Sequence, residues 1–207
     1  MSDSRTNTPW GYSVTGELPS LIDVSTFDTL SGARFDDSNQ VEVTLAAVSA
    51  AVRCFCGWHV APNIECYCET NGPGRMITLP TLMMTDLISV DEHGETLDVD
   101  DIEWLPSGLV RKPPSMCWHH PGWHPKWRSV HVTYMSGYDT SMVPDLAAIV
   151  AQIASNNLAA PGGIRSERAG NVEIAYNSMA SGVSGGITLL SRDMAMLASY
   201  RLPVMVR

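Results

Sequence analysis

The residues best suited to chemistry are cysteines and histidines in two short segments of the sequence. In the first segment, CFCGWHVAPNIECYC at residues 54–68, four of the chain's five cysteines flank His59. These cysteines form two pairs: Cys54 with Cys56, and Cys66 with Cys68. Thiolates and imidazoles bind Zn²⁺ in structural sites, but zinc knuckles usually place about two to four residues between paired cysteines. Each pair here is C-x-C, so packing of small apolar thiols is favoured, with a metal site as the alternative.

The second segment, CWHHPGWHPKW at residues 117–127, combines histidines with tryptophans. The spacing of His120 and His124 matches the histidine pair of a zinc finger, but Pro121 and Pro125 exclude the helix that presents such ligands. Tryptophan and histidine in a protruding loop also suit a protein contact, because both bury area while keeping a polar tip. A contact loop is favoured over a metal site, with these contact residues: Trp118, His119, His120, Trp123, His124 and Trp127.

Several motifs of the common enzyme classes are absent from the sequence. It contains no P-loop, no G-x-G-x-x-G after a strand and no H-E-x-x-H. The paired carboxylates at Asp36–Asp37 and Asp100–Asp101 are typical of a helix cap and a turn. We therefore expect neither an enzyme nor a bound cofactor or metal.

Composition limits the class of partner. The 207 residues are 44% hydrophobic and carry a formal net charge of −9. Proteins that grip nucleic acid through its phosphates need clustered Lys and Arg, so the acidic balance argues against that class. No apolar run approaches the roughly 18 residues of a membrane helix, and the N-terminal residues lack a signal-peptide pattern. We expect synthesis in the cytoplasm with reduced thiols.

Helical periodicity predicts three main helices. The first follows the acidic pair at 36–37, ends at Gly57 and has an apolar stripe at Val41, Leu45, Val48 and Val52. The second begins at Pro144 and has its stripe at Leu146, Ile149, Val150 and Ile153. A third, shorter helix is predicted between about residues 188 and 200.

Between these helices the pattern predicts short strands separated by glycine-containing turns, and hence a small antiparallel sheet or open barrel. The predicted fold class is therefore α+β: a small bundle of three main helices with an inserted antiparallel β subdomain and extended terminal arms. The predicted organisation is an N-terminal arm at 1–32, a helical core at 33–57 and 136–200, a β subdomain at 58–135, a Gly/Ser-rich linker arm at 162–187, and a docking tail at 201–207.

Several pieces, taken in order over about residues 33–204, resemble one family. They are CGWHVAP, VHVTYMSGYD followed by VPDLAAIVAQIA, GIRSERAGNVEIAY, and LASYRLP. Together they are similar to the head-to-tail adaptor (head–tail connector) proteins of long-tailed double-stranded DNA phages, of the actinobacteriophage type. Cys54, Cys66, Cys68 and the histidine-rich loop depart from that pattern.

The resemblance implies a non-enzymatic component of the virion neck, made in the host cytoplasm. Such adaptors form a ring, generally of 12 copies, that joins the portal protein of the DNA-filled head to the stopper or another neck protein. The ring lines the channel through which genomic DNA passes without sequence-specific binding, and an acidic wall suits that passage. The alternatives are another neck protein, such as the stopper or tail terminator, or a zinc-stabilised binding module.

The resemblance also suggests which residues make contacts. The expected portal-binding residues are Tyr200, Arg201, Leu202, Pro203, Val204, Met205, Val206 and Arg207. The expected contacts with a neighbouring subunit are Arg165, Glu167, Arg168, Val172, Ile174 and Tyr176. The tryptophans of the histidine-rich loop either meet the next neck protein or cover the β subdomain, and both interpretations stay open.

Overall fold

The computed structural model describes residues 4–72, 74–113, 122–159, 166–169, 172–175, 187 and 189–203. These residues form four α-helices and antiparallel sheets, which confirms the α+β class and the helical part with an inserted β subdomain. The chain divides into two compact units. The β unit comprises the described parts of Met1–Leu18, Cys56–Met142 and Tyr200–Arg207, and the helical unit those of Pro19–Phe55 and Val143–Ser199.

The helices and strands have the following bounds. The helices are α1 (Val24–Ser31), α2 (Ser38–Cys56), α3 (Pro144–Ala159) and α4 (Ser191–Leu197). The strands are β1 (Arg5–Asn7), β2 (Ser13–Thr15), β3 (Ile64–Thr70), β4 (Met76–Thr78), β5 (Met84–Glu92), β6 (Glu95–Leu97), β7 (Glu103–Trp104), β8 (Leu109–Arg111), β9 (Val130–Ser136), β10 (Ser166–Ala169) and β11 (Val172–Ala175).

The helical unit buries the stripes that the sequence predicts. The stripe of α2 is buried at all of its positions: Val41, Leu45, Val48 and Val52. The stripe of α3 is likewise buried: Leu146, Ile149, Val150 and Ile153. Helix α3 packs against both α1 and α4, so these three helices bury their apolar faces together.

The β unit contains two antiparallel sheets. The larger has the strand order β1-β2-β3-β9-β5-β6, and the smaller has the order β4-β8-β7. Strands β3 and β9 pair over their full length, from Ile64↔Ser136 to Thr70↔Val130. Alternate residues of both strands enter one apolar core, as the period of two in a strand requires: Cys66, Cys68, Val130, Val132 and Tyr134.

The N-terminal segment differs from the extended arm predicted for residues 1–32. Strands β1 and β2 form a hairpin that joins β3, and α1 follows in the helical unit. Tyr12 and Val14 are buried in the core of the β unit, which holds the hairpin in place. Asp23 caps α1 by accepting a hydrogen bond from the Thr26 amide at 2.8 Å. This segment thus contains a β-hairpin and a capped helix.

The segment predicted as a Gly/Ser-rich linker contains a hairpin. Strands β10 and β11 pair antiparallel, with register from Ser166↔Ala175 to Ala169↔Val172. Strand β11 lies within the stretch NVEIAY, and β10 precedes it. The rest of the segment, at 162–165, 170–171, 176–186 and 188, lies outside the described residues.

Candidate functional site

The last described residues of the chain are fixed to the β unit through backbone contacts. The Leu202 amide donates to the carbonyl oxygen of Cys56 at 2.8 Å. The indole Nε1 of Trp58 donates to the carbonyl oxygen of Tyr200 at 2.7 Å. We call Trp58, Tyr138, Tyr200 and Leu202 the C-terminal anchor.

Aromatic rings make up most of the C-terminal anchor. The ring of Tyr138 lies 5.8 Å from that of Trp58 and 5.6 Å from that of Tyr200, at interplanar angles of 60° and 90°. Such edge-to-face pairs are each worth about 0.5–1.5 kcal/mol beyond the area that they bury. Trp58 and Tyr200 are both buried, so water has little access to these ring contacts.

The residues expected to bind a portal include two that belong to the anchor and others that do not. Tyr200 is buried and Leu202 is half-buried, and both hold the chain against its own β unit. Arg201 and Pro203 are exposed. The remaining expected residues, Val204, Met205, Val206 and Arg207, lie outside the described part of the chain.

Next to Trp58, His59 forms the centre of a buried polar network. Its backbone amide donates to Tyr12 Oη at 3.0 Å, and its Nδ1 lies 2.8 Å from the same oxygen. Its Nε2 lies 2.9 Å from the carbonyl oxygen of Ser136. Because a carbonyl only accepts, Nε2 carries the proton, and Nδ1 accepts from the hydroxyl of Tyr12. Both ring nitrogens are thereby used, which makes His59 a structural residue.

The cysteines of the 54–68 segment occupy separate environments. Cys54 is exposed on α2, whereas Cys56, two residues later, is buried. Cys66 and Cys68 share the core face of β3, which is what the C-x-C spacing produces in a strand. Burial raises the pKa of both Cys56 and Cys66 to about 12, so these thiols stay protonated at neutral pH. In the described ranges, no group of three or more His, Cys, Asp or Glu side chains is placed to hold a metal ion.

The described ends of the histidine-rich loop are held by Glu92. One carboxylate oxygen of Glu92 accepts from the His124 amide at 2.6 Å, and the other pairs with the ammonium of Lys112. Trp123 is only 2% exposed, and its amide donates to the carbonyl of Gly74 at 2.8 Å. Trp123 therefore covers the β unit, whereas Trp127 is 77% exposed. Trp118, His119 and His120 lie outside the described residues.

A cleft of about 780 Å³ opens in the β unit beside Trp127. Its polar centre is an ion pair in which Arg128 Nε donates to Glu69 Oε2 at 2.6 Å, and this contact is the main reason that the pKa of Glu69 lies below its ordinary value. The guanidinium of Arg5 lies 4.2 Å from the ring centroid of Tyr67, in a cation–π contact. The lining residues are Asn7, Thr8, Gly11, Tyr12, Ser13, Tyr67, Cys68, Glu69, Thr70, Asn71, Thr78, Pro80, Trp127 and Arg128.

The residues expected to contact a neighbouring subunit lie on or beside the β10–β11 hairpin. Glu167 and Ile174 are register partners across the hairpin, as are Arg168 and Glu173. Val172 begins β11. Arg165 and Tyr176 flank the hairpin and lie outside the described residues.

Sequence analysis did not identify the C-terminal anchor or the hydrogen bonds between Tyr12 and His59. The C-terminal anchor depends on Trp58 and Tyr138, which come together only through the fold. Tyr12 lies 47 residues before its partner His59, so no local pattern connects them. The only available signal for Trp58 and His59 was their place within the segment CGWHVAP.

Comparison with known proteins gives matches only among solved structures. No protein-family model matches the sequence, and no curated protein matches it. A chain in the neck of a native gene transfer agent (GTA) particle, computed with C12 symmetry, matches with a TM-score of 0.58 at 14% identity. A chain in the neck of an empty GTA particle, computed with C6 symmetry, matches with the same TM-score at 16% identity. Both matches cover 95% of this chain and 98% of the other, so the fold is shared over nearly the full length.

Proposed function

We propose that this protein is a structural component of a phage-like virion neck. Its role there is an adaptor ring that joins the portal of the DNA-filled head to the stopper or tail. The observation that carries the proposal is the fold shared over 95% of the chain with proteins of GTA particle necks. Of the neck proteins considered from the sequence, a stopper or tail terminator is expected to be more purely β. The four helices therefore favour the adaptor.

A ring of 12 copies is consistent with the symmetry used for one of those necks. In a closed ring each copy uses one surface toward the preceding copy and another toward the next. The β10–β11 hairpin supplies one of these surfaces, through Arg165, Glu167, Arg168, Val172, Ile174 and Tyr176. The net charge of −9 on each copy gives the assembled channel an acidic character, which lets DNA slide without being gripped.

The C-terminal tail docks on the portal from the C-terminal anchor. The anchor fixes the chain as far as Leu202, and Pro203 has no backbone N–H with which to continue this pairing. The residues Val204 to Arg207 are apolar except for the terminal arginine, which suits a groove or strand edge on the partner. Arg201 and Pro203 extend this surface, whereas Tyr200 and Leu202 support it from within the β unit.

Truncation of the tail tests this role. Removal of Val204–Arg207 leaves every contact of the C-terminal anchor in place, so we expect an unchanged circular dichroism spectrum and unfolding midpoint. We also expect at least a tenfold loss of binding to portal rings of the same particle, measured by surface plasmon resonance. Undiminished binding by the truncated chain would contradict the docking assignment.

A control separates docking from folding. A longer truncation that begins at Leu202 also removes the hydrogen bond from its amide to the Cys56 carbonyl. This variant should unfold at lower denaturant concentration than both the full chain and the shorter truncation. If both truncations bind the portal equally weakly, the lost affinity belongs to residues 204–207.

A further inference from the structure

The cleft beside Trp127 arises where two strands part. Strand β2 pairs with β3 at only two register positions, Ser13↔Tyr67 and Val14↔Cys66. Strand β3 continues to Thr70 while still paired with β9 on its other side. The tip of the N-terminal hairpin thus forms one wall of the cleft, and the end of β3 forms the other.

The end of β3 is consequently a partly open strand edge. A strand that is paired on one side directs alternate N–H and C=O groups toward its other side. Among the described residues, no strand pairs with Glu69 or Thr70 on the side that faces β2. Such an edge accepts an added strand, which gains main-chain hydrogen bonds.

The lining of the cleft suits a polypeptide backbone. None of its residues is Leu, Ile, Val or Met, while hydroxyl and amide side chains are frequent, so the cleft offers few aliphatic contacts to an apolar anchor. Glu69 and Arg128 neutralise each other, which removes the strongest attraction for a charged ligand. Trp127 lines the cleft with most of its surface exposed and can cover an inserted strand.

A suitable strand is present in the chain itself. The described strands β10 and β11 form a separate two-stranded sheet, with pairing only to each other. An isolated two-stranded hairpin is at best marginally stable in water, and addition to a larger sheet stabilises it. Its outer edges carry the same kind of backbone groups as the open end of β3.

We propose that the cleft receives the β10–β11 hairpin of a second copy by strand addition to β3. This docking rests on the proposed ring function, and it gives that ring a specific contact: the hairpin of each subunit lies in the cleft of its neighbour. The cleft and the hairpin are different surfaces of the chain, as a head-to-tail ring contact requires.

Hydrogen exchange measured by mass spectrometry on dispersed chains and on portal-bound rings tests the docking. We expect peptides that cover residues 68–71 and 166–175 to gain protection together on assembly, by at least tenfold in exchange rate. Rings in which either segment exchanges as fast as in the dispersed chain would overturn the docking and leave the ring function standing. Full protection of both segments in the dispersed chain would overturn docking between copies.

Two variants, one in the hairpin and one in the cleft, test the docking further. Replacement of residues 166–175 by a Gly/Ser segment of equal length should abolish the added protection at 68–71 and reduce ring formation. Trp127→Ala should weaken ring formation at least fivefold, measured by mass photometry. The matched control is Met142→Ala, which removes a side chain that is 67% exposed and does not line the cleft.

The failure of the docking is distinguishable from the failure of the ring. If the chain forms no ring on its portal, both the proposed function and the docking are wrong. If rings form normally with the Gly/Ser replacement, the docking and the assignment of the hairpin as a ring surface are both wrong, whereas the ring itself stands.

Discussion

Tyr12 and His59 show how single residues fix the N-terminal hairpin to the rest of the β unit. The hydroxyl of Tyr12 accepts from the His59 amide and donates to its Nδ1, while Nε2 binds the carbonyl at the end of β9. All of these groups are buried, so each hydrogen bond protects a polar group that water cannot reach. A histidine placed between two C-x-C pairs thus serves packing in this chain.

Tyr12→Phe tests this network. The substitution removes two buried hydrogen bonds of His59, so we expect a loss of about 1–3 kcal/mol in the free energy of unfolding. Tyr67→Phe is the matched control, because its hydroxyl bonds to Glu69 at 3.2 Å in a partly exposed position. That variant should lose less than about 1 kcal/mol in urea denaturation. Equal losses in the two variants would contradict the structural role of His59.

The buried thiols predict how stability changes at alkaline pH. The pKa of Cys66 is raised by burial from its ordinary value of 9.0 to about 12. Between these values the folded chain keeps a proton that the unfolded chain releases, so stability is intact below pH 9 and falls as pH rises toward 12. Each such thiol contributes a slope of up to about 1.4 kcal/mol per pH unit.

Cys66→Ala separates this effect from other alkaline titrations. We expect its free energy of unfolding to fall less steeply than that of the unmodified chain, in urea denaturation at pH 8, 9.5 and 10.5. Cys54→Ala is the control, because it removes a thiol that is exposed in the folded chain. Identical slopes for all three proteins would show that Cys66 ionises as readily in the folded state as in the unfolded state.

At the scale of elements, the two sheets of the β unit are joined by a buried ion pair. Lys112 follows β8 of the smaller sheet, and Glu92 ends β5 of the larger sheet. Their side chains are only 8% and 11% exposed. Removal of one member of a buried pair leaves an uncompensated charge, whereas exposed pairs contribute little.

Lys112→Ala should therefore lower the free energy of unfolding by about 3–5 kcal/mol. The neighbouring residue provides the control, since Arg111 pairs with Glu103 at 3.3 Å with side chains 47% and 61% exposed. Arg111→Ala should cost at most about 1 kcal/mol. Similar urea midpoints for the two variants would contradict the structural importance of the Lys112–Glu92 pair.

Long elements were predictable from the sequence, and short ones were not. Helices α2 and α3 follow from apolar stripes of several turns, and β3 and β9 from runs of seven residues. Strands β1 and β2 have three residues each, and an alternation of apolar and polar residues cannot be recognised over so short a run. The C-terminal anchor and the cleft depend on residues far apart in sequence, so no local sequence pattern predicts them.

At the scale of the whole molecule, several features point to completion by other copies and partners. The tail leaves a fixed anchor, a two-stranded hairpin pairs only within itself in the described structure, and a strand edge opens into a cleft. The fold is shared with chains of GTA necks, and the ring role remains our proposal.

The most direct test is an image of the assembled particle neck at side-chain resolution. The account predicts a ring of 12 copies of this chain between the portal and the next neck protein, with residues 204–207 of each copy in contact with the portal. Density for this chain outside the neck, or a neck that contains no ring of it, would contradict the account.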